Sequence, residues 1–168
     1  EREVKEFTMT HYKNGLYPEY ETFKYPKVGE DNAKVSVHIY NLATGNTVKA
    51  NTELEEDHYI PRIRWTKDPN SLCIIRMNRH QNKVELLSAN ASTGKTRKIF
   101  EETNKYYIEE GVLDDLIFLK DGKHFVWTSE MDGWYHVYLY DIKGKLVRQL
   151  TKGEWDVTAF HGVDEVNQ

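Results

Sequence analysis

The chain has 168 residues, 39% hydrophobic and 30% charged, which suits one globular unit or part of a larger one. Its formal net charge of −4 and pI near 6.0 give no electrostatic reason to expect a nucleic acid or an anionic membrane as partner. No apolar run approaches the roughly 20 residues of a membrane span, and the single Cys73 excludes an internal disulfide.

The N-terminal stretch predicts a long β-hairpin over residues 6–25. The chain begins at Glu1-Arg2-Glu3, already charged and with no visible signal peptide, so we expect a piece of a longer protein. Apolar residues alternate with threonines from Phe7 onward, and Lys13-Asn14-Gly15 is a strong turn signal before the return through Pro18. Two interpretations stay open: an arm that protrudes from the sheet holding it, or a hairpin folded back on that sheet.

Residues 33–52 predict part of a small sheet. Val35, Val37 and Ile39 alternate with polar residues, so a half-buried strand is expected over residues 34–41. A turn at Gly45 then leads to an outer strand over residues 47–50.

Two longer stretches, residues 59–100 and 115–151, each predict four short strands in a meander. In the first, the expected strands cover residues 63–65, 72–77, 83–89 and 96–100. In the second, they cover residues 116–119, 124–129, 135–142 and 145–150. Polar turns, most of them with glycine, separate the strands, because glycine adopts positive φ without steric cost.

The two stretches repeat one pattern. Trp65 and Phe118 occupy equivalent first strands, and Gly45, Gly94 and Gly144 recur about every 50 residues. Each unit carries its turns in the same order. A period of this length with four strands per unit is typical of β-propeller blades.

The fold class predicted for residues 1–168 is all-β: a single partial β-propeller of four-stranded antiparallel blades. It contains about two complete blades and parts of two more, because residues 154–168 are expected to open a further blade through Trp155 and Val157. A closed propeller needs at least four blades. The exposed sheet edges should therefore pair with the rest of a parent protein or with another copy.

No recognisable catalytic or metal-binding motif occurs in the sequence. There is no G-x-S-x-G elbow, and none of the five serines has a histidine and an acid in any evident arrangement. Motifs of the H-x-x-x-H, H-E-x-x-H and C-x-x-C types are missing from the sequence. His38 and His136 are interpreted as structural and Cys73 as a small buried hydrophobe. We assign no catalytic, cofactor-binding or metal-ligating residue and no cofactor.

Two features could still bind a ligand. Four acid pairs could hold a cation or a substrate amine: Glu55-Glu56, Glu101-Glu102, Glu109-Glu110 and Asp114-Asp115. Neighbours in a strand point to opposite faces, so solvated loop charge is the simpler interpretation. Trp134-Tyr135-His136 could stack on a sugar or a peptide, although packing between blades explains it more simply.

Several segments in the observed order are specific in combination: Tyr25-Pro26-Lys27-x-Gly29-x-x-Asn32, Asp57-His58-Tyr59 before Trp65, Phe118-Leu119-x-Asp121-Gly122, and Thr151-Lys152-Gly153-x-Trp155-x-Val157. Together they resemble the N-terminal β-propeller of dipeptidyl peptidase IV, a branch of the prolyl oligopeptidase-type serine peptidases. The resemblance covers nearly the whole chain. A further segment, Thr128-Ser129-Glu130-x-Asp132-Gly133, also resembles propeller blades of the TolB type.

The resemblance implies an eight-bladed propeller packed on an α/β-hydrolase domain, in an enzyme that releases N-terminal dipeptides with Pro or Ala second. The family's Ser-Asp-His triad lies in the hydrolase domain, so this fragment alone should be inactive. Its amine-binding glutamate pair lies upstream, and the acid pairs at 55–56 and 109–110 do not match it. An aromatic–arginine substrate contact found in some members would fall at residues 111–116, where this sequence has no arginine.

The partners implied by the resemblance are the hydrolase domain, the remaining blades and peptide substrates, with the propeller gating and shaping substrate access. The family hairpin that contributes to dimerisation corresponds to residues 6–25, so a homodimer through this hairpin is expected. A periplasmic, extracellular or membrane-associated location is also implied. The alternative is a TolB-like or WD-like β-propeller that serves as an interaction scaffold with no peptidase activity.

Overall fold

The computed structural model describes residues 2–53 and 57–166, and chain contacts divide it into two units, Glu1–Val35 and Ser36–Gln168. The described residues are almost entirely strands, turns and loops, and the one short helical segment is a 3₁₀ helix. The predicted all-β class and its antiparallel four-stranded sheets are confirmed, and the propeller is partial and unclosed.

The first unit contains a β-hairpin. Strand β1 (Glu6–His11) pairs antiparallel with β2 (Glu19–Lys24), with Phe7 directly opposite Phe23. The two rings meet edge to face with centroids 6.0 Å apart, and Tyr25 packs edge-on against Phe23 at 6.1 Å. Aromatic pairs of this geometry stabilise one face of the hairpin.

The second unit contains three antiparallel sheets in chain order. A two-stranded sheet is formed by β3 (His38–Tyr40) and β4 (Thr47–Lys49). A four-stranded meander follows, formed by β5 (His58–Trp65), β6 (Ser71–Asn78), β7 (Lys83–Asn90) and β8 (Thr96–Thr103). After the 3₁₀ helix Glu110–Asp115 comes a second meander, formed by β9 (Ile117–Phe118), β10 (His124–Ser129), β11 (His136–Asp141) and β12 (Leu146–Gln149).

The β5–β8 sheet is buried on both faces. On β6, Cys73 and Ile75 belong to the hydrophobic cluster shared with the β9–β12 sheet. Leu72 and Ile74, which point the other way, belong to the cluster shared with the β3–β4 sheet. A strand with both faces buried reads as a continuous apolar run, which explains why residues 72–75 show no polar alternation.

A buried ion pair interrupts the second of these faces. Arg76 on β6 stands opposite Glu85 on β7, with Nη2 2.6 Å and Nε 2.9 Å from the carboxylate oxygen Oε2. The exposed fractions of the two residues are 8% and 6%. Arg76 also donates to the Thr52 carbonyl at 3.3 Å, so the pair ties β6 and β7 to the segment after β4.

Glycines allow neighbouring sheets to approach closely. Gly94 (φ 71°) and Gly144 (φ 86°) occupy equivalent turns, between β7 and β8 and between β11 and β12. A Cβ added at Gly94 would lie 2.1 Å from the Lys49 carbonyl oxygen, and one at Gly144 would lie 1.7 Å from the Ile99 carbonyl oxygen. Each turn therefore docks on the outer strand of the preceding sheet, and this contact explains the glycines at positions 94 and 144.

Element limits differ from expectation in several places; β5, for example, begins at His58 instead of residue 63. Strand β3 covers only His38–Tyr40 instead of residues 34–41, because its partner β4 is three residues long. The segment before β9 is a 3₁₀ helix that buries Val112 and Leu113. Residues 154–166 contain no strand, although Val157 donates a backbone hydrogen bond to Tyr135 at 2.8 Å. Whether 154–168 opens a further blade stays a prediction, as do the blade limits.

Candidate functional site

Charged and hydroxyl side chains meet where the 3₁₀ helix contacts strands β5 and β10. This rim cluster consists of Arg62, Arg64, Asp114, Asp115 and Tyr135. Arg62 on β5 donates two hydrogen bonds to Asp114, from Nε to Oδ1 at 2.8 Å and from Nη2 to Oδ2 at 3.0 Å. This two-point contact fixes the 3₁₀ helix against the first strand of the preceding sheet.

Two further contacts complete the charged half of the rim cluster. Arg64 donates to the Asp114 carbonyl oxygen at 2.9 Å, and Arg62 Nη1 donates to Glu110 at 3.1 Å. The hydrogen bond from Arg62 lowers the pKa of Asp114 below its usual range, and that bond raises the pKa of Arg62. Because these side chains are partly exposed, the network orients the segment more than it stabilises the fold.

The other half of the rim cluster is a network of hydroxyl groups around the Asp115 carboxylate. The Tyr135 hydroxyl lies 2.7 Å from both Asp115 Oδ2 and Thr128 Oγ1, and Thr128 donates to the same Asp115 oxygen at 3.0 Å. Burial is the main cause of the raised pKa of Tyr135, with the Asp115 carboxylate adding to it. The phenol therefore stays protonated and acts as a hydrogen-bond donor.

A second carboxylate sits in the seam between the two meanders. Glu102 accepts hydrogen bonds from Trp127 Nε1 at 2.5 Å and from Ser129 Oγ at 2.7 Å. Burial raises the pKa of Glu102 above its ordinary value, although both hydrogen bonds act in the opposite direction. This residue links the end of β8 to β10 and has the environment of a structural acid.

The described residues hold no assembled hydrolytic site. Ser129 bonds to Glu102 and Ser71 to Ser88, so neither faces a histidine. Ser36 Oγ does lie 3.1 Å from His38 Nε2, but this pair is on the exposed surface and no described acid orients the imidazole. Within residues 2–53 and 57–166, no group of three or more His, Cys, Asp or Glu side chains could hold a metal ion.

Two residues singled out in the sequence have structural environments. His136 is fully buried, with Nδ1 3.0 Å from Thr151 Oγ1, Nε2 3.0 Å from the Gly153 carbonyl oxygen, and its ring edge-on to Trp155. It joins β11 to the Thr-Lys-Gly-x-Trp segment. Cys73 is also fully buried, and burial raises the pKa of its thiol to about 12, which suits an unreactive side chain.

The four acid pairs have different environments. Glu55-Glu56 lies outside the described residues. Glu101 and Glu102 are in strand β8 and face opposite ways, so the solvated-loop interpretation is wrong for Glu102. Glu109 and Glu110 are exposed at the start of the 3₁₀ helix, whereas Asp114 and Asp115 both belong to the rim cluster.

The aromatic triplet also separates by environment. Trp134 is exposed, Tyr135 is half-buried in the rim cluster and His136 is buried. The three side chains therefore form no common stacking surface. Only Trp134 is open to a ligand.

Sequence reasoning missed the Arg62–Asp114 and Arg76–Glu85 contacts. Arg76 does carry a signal, since a charge within the apolar run 72–77 needs a buried partner. No comparable signal marks Arg62, because Asp114 lies 52 residues further along the chain.

The chain is similar to a known protein family and to several curated proteins. The family described as "Dipeptidyl peptidase IV (DPP IV) N-terminal region" matches residues 1–168. The chain is 30% identical over 175 residues to dipeptidyl peptidase 4 from Trichophyton equinum, covering 96% of this chain and 22% of that protein. Dipeptidyl peptidase 4 from Trichophyton rubrum gives the same values. The chain thus spans less than a quarter of the length of these relatives.

Solved structures show the same similarity. The crystal structure of Porphyromonas gingivalis dipeptidyl peptidase 4 matches with a TM-score of 0.86 and 40% identity, covering 97% of this chain and 23% of that one. A putative dipeptidyl aminopeptidase IV from Bacteroides ovatus matches with a TM-score of 0.76 and 30% identity, covering 93% of this chain and 25% of that one. The described residues contain no helix with the length and hydropathy needed to cross a bilayer.

Proposed function

The chain belongs to the dipeptidyl peptidase IV N-terminal region family, and on that premise we propose that it is the non-catalytic propeller portion of a serine exopeptidase. The whole protein releases X-Pro and X-Ala dipeptides from peptide N-termini. In it, this portion gates and shapes substrate access and contributes to dimerisation. The observation that carries the proposal is the match of 97% of the chain to a solved dipeptidyl peptidase 4 at 40% identity.

The assignment of a non-catalytic role rests on the chemistry of the described residues. Ser71 and Ser88 bond to each other, Ser129 bonds to a carboxylate, and Ser36 contacts a histidine that no described acid orients. Their one cysteine is buried and its pKa is raised. Bond cleavage therefore belongs to another part of the parent protein, with its own nucleophile, base and oxyanion donors.

The gating role is assigned to the rim cluster. Its 3₁₀ helix is held from one side by Arg62 and, through the adjacent Asp115, from the other by Tyr135. A segment held in this way presents a constant edge. A loosened segment would change how a long peptide passes that edge, while leaving a short substrate unaffected.

Asp114→Asn in the full-length parent tests the gating role. The change weakens the Arg62 contact, so we expect the KM for a long peptide with an N-terminal X-Pro to change at least about threefold. The kcat for a chromogenic dipeptide should stay within about twofold, since chemistry lies elsewhere. Asp121→Asn is the matched control, because Asp121 also forms an exposed pair, with His124, at the other end of its sheet. Equal effects of the two variants on both substrates would contradict the assignment of a gating role to the rim cluster.

The dimerisation role is assigned to the hairpin tip, residues 12–18. Tyr12, Leu16 and Tyr17 are 85%, 98% and 85% exposed, and Tyr20 on β2 is exposed as well. Large apolar and aromatic side chains concentrated at one point are enriched in protein interfaces. A second copy of the parent protein is the partner proposed for this surface.

The pair of substitutions Leu16→Asp and Tyr17→Asp tests the dimer contact. Placing two charges at an apolar interface should convert the full-length parent from dimer to monomer, halving the mass measured by light scattering. Val28→Asp is the control, since Val28 is fully exposed in the same unit but lies outside the hairpin tip. A tip variant that keeps the dimer mass would contradict the assignment.

A further inference from the structure

A groove opens between the two four-stranded sheets where three of their turns come together. Its volume is about 450 Å³, within the range of small-molecule sites. The turns β5–β6, β7–β8 and β9–β10 converge there, and Phe118 and Ile142 line the groove from the β9–β12 side. We call it the turn-end groove, and its polar lining includes Lys67, Asp68, Ser71, Ser88, Lys95 and Arg97.

The groove exists because large apolar side chains give way to short polar ones along the face of the β5–β8 sheet that packs on the β9–β12 sheet. Val84 and Leu86 on β7 are fully buried against the β9–β12 sheet, and Ser88 is the next residue on that face. Ser71 on β6 lies 2.8 Å from Ser88, and Arg97 on β8 stands opposite Ser88. Short hydroxyl side chains do not fill the gap between the sheets, so a polar row borders open space at this end.

The three cations of the groove are unpaired in the described part of the chain. Lys67, Lys95 and Arg97 are exposed and take part in no ion pair with a described residue. This contrasts with Arg62 and Arg76, which both grip carboxylates. The surplus of positive charge is local, because the chain as a whole carries a net charge of −4.

Acidic side chains near the groove do not cancel this surplus. Asp68 is the one carboxylate in the described lining, and its Oδ1 accepts the backbone N–H of Asn70 at 2.9 Å. Asp121 lies beside the groove and pairs with His124 at 2.6 Å. The lining thus holds three cations against one acid.

Neutral donors are also available. The hydrogen bond between Ser71 Oγ and Ser88 Oγ uses only one of two hydroxyl hydrogens. Asn90 accepts the backbone N–H groups of Ser92 and Thr93 through Oδ1, which leaves its NH₂ group to donate. A guanidinium fork, two ammonium groups and neutral donors around one space are the recognition chemistry of an oxyanion.

We propose that the turn-end groove binds a small multivalent oxyanion, carrying two or more carboxylate or phosphate groups, with Arg97 as the two-point contact and Lys67 and Lys95 as charge partners. None of the rim-cluster residues lines this groove, so variants of the two sites can be tested separately.

Isothermal titration calorimetry on the full-length parent at low ionic strength tests this, with inorganic pyrophosphate and citrate as separate probes. At least one probe should bind, and Arg97→Gln should weaken that binding about tenfold or more, because one charge-assisted contact is lost. Binding of pyrophosphate alone identifies a phosphate ligand, and binding of citrate alone identifies a carboxylate ligand. Binding of both identifies a general oxyanion site.

Arg148→Gln is the matched control, since Arg148 is also an exposed arginine on an outer strand but lies outside the groove. It should leave binding of either probe unchanged. Hydrolysis of a chromogenic dipeptide should be the same in the parent and both variants, which separates this site from the proposed peptidase function. Absence of binding by both probes, or equal weakening by the two variants, would overturn the proposal.

Discussion

At the scale of single residues, two neighbouring glutamates of β8 have opposite electrostatics. Glu102 is desolvated in the seam between sheets, which raises its pKa, whereas the Lys98 hydrogen bond lowers the pKa of Glu101. Ionised Glu102 therefore costs folding free energy above the pKa of an unfolded glutamate, and ionised Glu101 contributes to stability there. The contrast follows from strand alternation, which sends one side chain inward and the next outward.

Glu102→Gln should stabilise the chain at pH 7.5 and change its stability little near pH 4. The gain should grow as pH rises through the unfolded pKa of about 4.3 towards the higher folded value, because only the wild-type carboxyl must ionise. Thermal melts across this pH range measure the difference. The control Glu101→Gln should instead destabilise the chain, lowering its free energy of unfolding at pH 7.5 by at most about 1 kcal/mol. A Glu102→Gln effect independent of pH would contradict the assigned environment.

At the scale of elements, the turn between β11 and β12 locks two sheets together. Gly144 and Gly122 both have positive φ, but a Cβ at Gly144 would overlap the Ile99 carbonyl, and one at Gly122 would meet nothing within 4 Å. Substituting each of these two glycines by alanine distinguishes backbone strain, which both positions share, from steric contact between sheets, which occurs only at Gly144. It offers a direct test of whether the recurring glycines serve packing.

Gly122→Ala should lower the free energy of unfolding by about 1 kcal/mol, the cost of an alanine at positive φ. Gly144→Ala adds to that cost, because its Cβ would also force the two sheets apart. It should therefore lower the free energy of unfolding by about 2 kcal/mol more than Gly122→Ala does. Urea unfolding measures both. Similar losses for the two variants would show that the turn does not dock on β8.

The Arg76–Glu85 pair binds adjacent strands inside an otherwise apolar face. Arg76→Met leaves the buried Glu85 carboxylate without its main partner and should lower the free energy of unfolding by about 3 kcal/mol. This is the lower end of the range for a broken buried pair, because Lys83 and Lys98 lie 3.6 and 3.5 Å from that carboxylate. The double variant Arg76→Met with Glu85→Leu should regain most of the loss. Urea unfolding of both variants checks this, and a double variant as unstable as the single one would contradict it.

At the scale of the whole molecule, repeated local patterns made the fold class predictable. The turn glycines and the alternating strands of residues 33–52 and 59–151 are local signals, and they indicated stacked four-stranded sheets. The rim cluster was not predictable, because Arg62 meets Asp114 only after two sheets stack. The 3₁₀ helix was missed for the same reason, since burial of Val112 and Leu113 between sheets defines it.

The C-terminal end of strand β8 was also not predictable from local sequence. The sequence predicted a strand over residues 96–100, whereas β8 continues to Thr103. Its extension carries Glu101 and Glu102, a charged pair that suggests a loop on composition alone. Pairing with β7 and the hydrogen bonds from Trp127 and Ser129 hold these residues in the strand.

The measurement that tests the central claim most directly is hydrolysis of a Gly-Pro chromogenic substrate by two purified proteins, the 168-residue chain and its full-length parent. An arc of propeller blades without a nucleophile should release no chromophore, and the parent should release it with saturation kinetics. Turnover by the chain alone would contradict the placement of catalysis outside it. An inactive parent that retains its propeller would instead indicate an interaction scaffold.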